Sequence, residues 1–166
     1  MATNYLHKLF HDTLKDIYYA EKKILTALPK MAEATTNEEL RAAFEKHEAE
    51  TQTHVERLEE VFALLEEKPE GKKCDAIEGI IKEGEGIMTE YKGTPALNAG
   101  LLAAAQAVEH YEISRYGTLR TWADELGLAD AASLLQTTLD EEEATDEALT
   151  EIAETAVNQE AETEAA

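Results

Sequence analysis

The sequence is poor in cysteine and in basic residues, and each shortage excludes a class of protein. Cys74 is the single cysteine among 166 residues. An intramolecular disulfide and a thiolate cage for zinc or an iron–sulfur cluster are therefore excluded. Basic residues number 15 against 36 acidic ones, which gives a net charge of −21. Because such a charge repels nucleic-acid phosphates and anionic lipid headgroups, we expect neither nucleic acid nor a membrane surface as a partner.

Long apolar runs are missing as well. No stretch of about 18 apolar residues is present, and no basic region followed by an apolar run opens the chain. We therefore expect no membrane span, no secretory signal and a location in the reducing cytoplasm. Hydrophobic residues still make up 43% of the chain and recur throughout it, so the acidic composition is compatible with a folded core.

Glycine and proline are few, and their positions mark the ends of helices. Between them, apolar residues recur at spacings of three and four, which is typical of helices with one buried face. Pro29 should kink or interrupt the end of the first helix. The predicted helices cover about Tyr5–Glu33, Glu38–Leu65, Asp75–Tyr91, Pro95–Leu126 and Ala129–Ala156.

Two long helices, a connection with a short helix and two further long helices predict an all-α, ferritin-like four-helix bundle. The short crossover helix lies between the second and third long helices. We expect residues 1–157 to form a single domain and the acidic tail, residues 158–166, to fray. Ile80, Ile81 and Ile87 on the glycine-weakened crossover helix suggest a partner surface, and hence a homodimer.

Acidic residues interrupt the apolar face of every long helix. Glu21, for example, lies four residues after Ile17 and three before Ile24. A bundle core contains no carboxylates unless something binds them, so these positions indicate a buried site. The other candidates are His47, Glu50 and His54 in the second helix, Glu109 and Glu112 in the third, and Glu142 and Asp146 in the fourth.

The candidates recur with similar spacing in both halves of the chain. An acid in the first helix of each half is followed about 30 residues later by an i, i+4 pair, Glu50 and His54 or Glu142 and Asp146. Buried carboxylates repel one another, so the pattern predicts bound cations. Carboxylate with imidazole favours two Fe or Mn ions. His47 and Glu109 are either ligands or groups that support ligands, and the supporting role is favoured for His47.

The segments that carry these residues resemble the bacterial YciF/YciE-type stress proteins, a ferritin-like family. They are DIYYAEK (16–22), HEAETQTHVERL (47–58), AAAQAVEHYEISRYGTL (103–119) and LDEEEATDEAL (139–149). The resemblance implies a four-helix bundle, dimerisation and a dinuclear metal site. The wider ferritin-like group uses Glu-x-x-His motifs. Here Thr53 and Thr145 replace those histidines, and the next residue, His54 or Asp146, would stand in.

Two functions of different class remain open. One is a di-iron or di-manganese protein that handles peroxide or oxidises and stores iron on a small scale. The other is a non-catalytic structural or binding protein whose metal site is vestigial or structural. Whether the chain is an enzyme is left open.

Overall fold

The computed structural model describes residues 4–163, and within this range it contains helices and no strand. The helices are α1 (Tyr5–Ala34), α2 (Glu38–Leu64), α3 (Asp75–Glu90), α4 (Leu97–Glu125) and α5 (Ala129–Ile152), followed by a π-helical turn (Ala153–Val157) and α6 (Asn158–Ala161). The all-α bundle with a crossover helix is therefore confirmed.

Side-chain caps and one glycine set the helix ends. The Asn4 side chain accepts hydrogen bonds from the first turn of α1, and Asn37 does the same for α2. At the end of α4, Gly127 has a φ of 74°, a left-handed conformation that glycine adopts at little cost. The Leu128 N–H donates to the Ala123 carbonyl at 2.8 Å, which closes a Schellman motif.

The long helices form two hairpins, one of α1 and α2 and the other of α4 and α5. The hairpins pack together through contacts of α2 with α5 and of α1 with α4. The crossover helix α3 packs on α1 and α4. The buried apolar side chains form one hydrophobic cluster, and Ile80, Ile81 and Ile87 pack partly buried against it. The arrangement leaves the middle of the bundle enclosed by four long helices.

Two details differ from the sequence prediction. Pro29 does not interrupt α1, which continues to Ala34. Pro29 is exposed, so its ring lies on the outer face of α1 and does not disturb the core. Helical structure also continues through Ala161, beyond the expected start of the tail at residue 158. The last three residues of the predicted tail, 164–166, lie outside the described range.

Within residues 4–163, none of the helices is both long and apolar enough to cross a membrane.

Gly127 and Gly79 should respond in opposite ways to replacement by alanine. Gly127→Ala forces a side chain into the left-handed region and should lower the free energy of unfolding by about 1–2 kcal/mol. Gly79 lies within α3, and an added Cβ there meets nothing within 4 Å. Gly79→Ala should therefore raise the free energy of unfolding by up to about 1 kcal/mol. Urea unfolding measures both, and a Gly127→Ala variant as stable as the wild type would contradict the cap assignment.

Candidate metal centre

Six side chains from the four long helices converge in the middle of the bundle. α1 supplies Glu21, α2 supplies His47 and His54, α4 supplies Glu109 and Glu112, and α5 supplies Glu142; each is at most 3% exposed. Their helices bury these positions because they are in phase with the apolar face on either side.

The first group consists of His47, Glu109, Glu112 and Glu142, whose ligand atoms all lie within 4.8 Å of one another. His47 Nε2 is 3.2 Å from Glu109 Oε1 and 3.9 Å from Glu112 Oε2. His47 Nδ1 is 4.0 Å from Glu142 Oε2. One imidazole and three carboxylates thus surround a common space that can hold a metal ion.

The second group consists of Glu21, His54 and Glu142. His54 Nδ1 is 3.0 Å from Glu142 Oε1 and 3.6 Å from Glu21 Oε1. Glu142 belongs to both groups, with Oε2 towards His47 and Oε1 towards His54. A single carboxylate therefore joins the two groups.

Many ligand-type atoms of this cluster are buried without a hydrogen-bond partner among the described residues. They are Glu21 Oε2, both nitrogens of His47, His54 Nδ1, Glu109 Oε2, and both carboxylate oxygens of Glu112 and of Glu142. The close His54–Glu142 pair is included because its angles do not meet those of a hydrogen bond. Buried polar atoms normally have partners, and a cation is the partner that suits this set of acceptors.

The cluster strongly perturbs the pKa values of its members. Burial, reinforced by the charge of Glu142, raises the pKa values of Glu109 and Glu112 well above their ordinary range. Burial lowers the pKa of His47. Burial disfavours the charged form of His54, but the carboxylates of Glu142 and Glu21 outweigh burial and raise its pKa to about 10. The charged forms of the two α4 carboxylates are therefore the least compensated in the cluster.

Glu21 is better compensated than the α4 carboxylates. Burial alone would raise its pKa, but His54, Glu112 and Tyr116 outweigh burial, and the net pKa is lowered. The Tyr116 hydroxyl donates a hydrogen bond to Glu21 Oε1. Tyr116 therefore contacts the cluster directly.

An outer network that the sequence did not reveal orients His54. Its Nε2 lies 2.9 Å from Glu141 Oε2. Arg57 donates to Glu141 at 2.9 and 3.2 Å, and to Thr138 at 2.6 Å. When the His54 Nε2–H donates to Glu141, the Nδ1 lone pair faces Glu21 and Glu142, as a metal ligand requires. The position of Arg57, one turn after His54, was the available sequence signal.

Glu50 and Asp146 lie outside both groups. Glu50 Oε1 pairs with Lys46 at 3.0 Å, although its Oε2 is buried without a partner. Asp146 contacts His110 at 3.1 Å and Gln106 at 3.2 Å near the surface. The buried face of α5 runs from Glu142 through Thr145 and Leu149, so the Asp146 side chain lies beside this face, towards Gln106 and His110 of α4, and does not enter the centre.

The metal-free protein should lose stability as the pH rises from 7 to 9. A raised pKa in the folded state means that the fold binds more protons than the unfolded chain. The contribution of His54 to the free energy of unfolding is fully present below its ordinary pKa of 6.5, and it is lost as the pH rises towards the folded-state pKa of about 10. The raised pKa values of Glu109 and Glu112 also lower stability as the pH rises above 4.5. The lowered pKa of His47 affects stability only below pH 6.5, outside the range tested.

Urea unfolding of chelator-treated protein at pH 7, 8 and 9 measures this slope. His54→Gln should flatten it, while His110→Gln, which changes a side chain that is 68% exposed, should not. A slope that both variants leave unchanged would contradict the electrostatic description of the cluster.

Comparison with known proteins agrees with this fold along nearly the whole chain. A family model described as "Domain of unknown function (DUF892)" matches residues 5–162. Protein YciF of Escherichia coli (strain K12) is 44% identical over 161 residues, which cover 96% of this chain and 97% of YciF.

Solved structures agree with the family match. The crystal structure of the E. coli stress protein YciF aligns with a TM-score of 0.89, covering 96% of this chain and 99% of that one. YcfI of Rhodopseudomonas palustris, described as a candidate structural protein, is 48% identical, with a TM-score of 0.85 over 87% and 92% of the two chains. A Xanthomonas campestris protein shares the fold at 23% identity, with a TM-score of 0.74 over 95% and 96%. The resemblance to YciF-type proteins is confirmed, and the chain belongs to the DUF892 family.

Proposed function

We propose that this chain binds two divalent Fe or Mn ions in the buried cluster and acts as a stress-response protein in peroxide or iron handling. His47, Glu109, Glu112 and Glu142 would hold one ion, and Glu21, His54 and Glu142 the other. The observation that carries the proposal is the set of buried, unpartnered carboxylate and imidazole atoms.

Charge supports two ions rather than one. The cluster contains four glutamates, Glu21, Glu109, Glu112 and Glu142, each at most 1% exposed. Two divalent cations neutralise four carboxylates, whereas one leaves two negative charges in a medium of low dielectric constant. Carboxylate with imidazole suits Fe or Mn, while Zn prefers sites richer in Cys or His and Ca prefers loop carbonyls.

The protein's own side chains would keep the ligands in place and exclude water. Glu141, held by Arg57, orients His54, and Tyr116 holds one oxygen of Glu21. The ligands lie on long helices rather than on loops, which limits their movement. Bound Fe or Mn would supply electron transfer to peroxide or dioxygen.

We assign different roles to the two predicted ligands outside the groups. Glu50 is proposed as a further ligand on the His47 side, because its Oε2 is buried without a partner and its charge acts on His47. Its other oxygen pairs with Lys46, so it does not alter the balance of two ions against the four fully buried glutamates. Asp146 is proposed as an outer support for α4, because its carboxylate already contacts Gln106 and His110. A homodimer and a cytoplasmic location remain predictions from the family resemblance and the composition.

A non-catalytic structural role is the second candidate. Glu21, His54 and Tyr116 compensate one another without a cation, as the lowered pKa of Glu21 indicates. The description of YcfI as a candidate structural protein favours the same role. In that case the cluster would have no redox function.

Metal content tests whether the cluster is a metal site, which the first candidate requires. Protein purified without chelator and loaded anaerobically with Mn(II) or Fe(II) should contain two ions per chain. Glu142→Gln should lose both, because Glu142 belongs to both groups. Asp146→Asn should keep both. Elemental analysis measures the ions, and each filled site should add about 2.7 kcal/mol of stability at a free concentration 100 times its Kd.

Two results would contradict the metal proposal. One is a Glu142→Gln variant that retains two ions. The other is a wild-type protein that binds no ion and whose thermal unfolding is unaffected by Mn(II), in which case the structural candidate stands.

Removing the charge of Glu141 tests the orientation of His54. Glu141→Gln should weaken metal binding by about 10- to 100-fold, because the partner of a ligating histidine fixes its ring and raises its basicity. Glu143→Gln is the matched control, since Glu143 is exposed two residues further along the same helix. Calorimetric titration with Mn(II) gives both affinities, and equal values for the two variants would rule out the orienting role.

A further inference from the structure

A separate cavity lies between α1, the crossover helix α3 and α4. Its volume is about 30 Å³. Because one sphere of water's radius needs about 10–15 Å³, the cavity has room for a molecule about two such spheres long. Its inner lining is mainly aliphatic and includes Ile24, Leu28, Ile81, Ala105 and Val108.

The lining is poorly suited to water. A buried water needs two to four polar partners. Three of the described lining residues carry charged groups: Lys30, Glu85 and Glu109. Lys30 and Glu85 pair with each other at 3.2 Å, and their side chains are 60% and 50% exposed, so they lie at the outer rim. Glu109 alone offers a buried polar group, which is fewer partners than a water needs, so the interior favours a small uncharged occupant.

Glu109 connects the cavity to the metal cluster. It is the charged residue of the lining that is buried, at 1% exposure, and its Oε2 has no hydrogen-bond partner. The same side chain belongs to the group with His47, Glu112 and Glu142. A molecule in the cavity would therefore lie beside the proposed metal site.

Glycine at position 84 keeps this space open. Gly84 is buried in α3, and a Cβ added there would lie 3.5 Å from the Ala104 Cβ, an ordinary contact. A larger side chain at this position would extend into the cavity that Gly84 lines. Gly86, two residues along α3, has open space around its Cβ position. Of these two glycines, Gly84 lines the cavity and Gly86 does not.

We propose that this cavity binds one small uncharged molecule of the size of dioxygen, next to Glu109. The functional role of this site rests on the proposed metal function, because dioxygen bound beside Glu109 would then lie next to Fe or Mn. Binding of the gas itself depends only on the shape and apolarity of the cavity.

Methyl NMR of the full-length protein under dioxygen pressure tests the proposal, with nitrogen at the same pressure as the diamagnetic control. The methyl groups of Ile81, Ala105 and Val108 should relax several-fold faster under dioxygen than buried methyls elsewhere, such as those of Leu14 and Leu135. Gly84→Val should abolish this difference, and Gly86→Val should preserve it. Ala105→Val fills the cavity from α4 and replaces Gly84→Val if that variant does not fold.

The inference is overturned if dioxygen affects all buried methyls equally, or if the cavity-filling variants retain the local effect. The metal content of each sample distinguishes this failure from failure of the proposed function. Local dioxygen binding in a protein that takes up no Mn(II) would support the cavity site and contradict the metal function. Two bound ions without local dioxygen binding would support the metal function and contradict the cavity site.

Discussion

The mutual repulsion of four buried glutamates is the constraint on which the rest of this structure depends. Glu21, Glu109, Glu112 and Glu142 come from three helices and meet in the middle of the bundle, at most 1% exposed. Such an arrangement must take up protons or cations, because bare carboxylates in low dielectric each cost several kcal/mol. The raised pKa values of Glu109 and Glu112 correspond to proton uptake, and the two divalent ions proposed above would replace those protons.

The bundle compensates the cluster unevenly. Near α2 and α5, His54, Glu141 and Arg57 form a chain of alternating charge that leads from the centre towards the surface. On the α4 side, His47 is the basic partner, and burial lowers its pKa. A bound cation would therefore stabilise the α4 side more than the His54 side. The α4 side is also the side on which Glu109 meets the apolar cavity.

Periodicity was sufficient to predict the bundle and much of its cluster. Glu21, Glu109, Glu112 and Glu142 were recognisable because each lies in phase with the apolar face of its helix. The spacing of seven residues between His47 and His54 places both on one helix face, which is the sequence signal for His47 as a member of the cluster. The contact between His54 and Glu141 depends on how α2 packs against α5, so one sequence does not reveal it. Asp146 was misplaced because the buried face of α5 continues from Glu142 through Thr145 and Leu149 and leaves Asp146 beside it.

Anomalous diffraction from crystals of the Mn(II)-loaded protein would test the central claim most directly. The account predicts two peaks near the Glu142 carboxylate, one beside His47 and the other beside His54. An absence of peaks in the bundle, or peaks confined to surface carboxylates, would contradict it and leave a bundle whose buried acids are held by protons and hydrogen bonds alone.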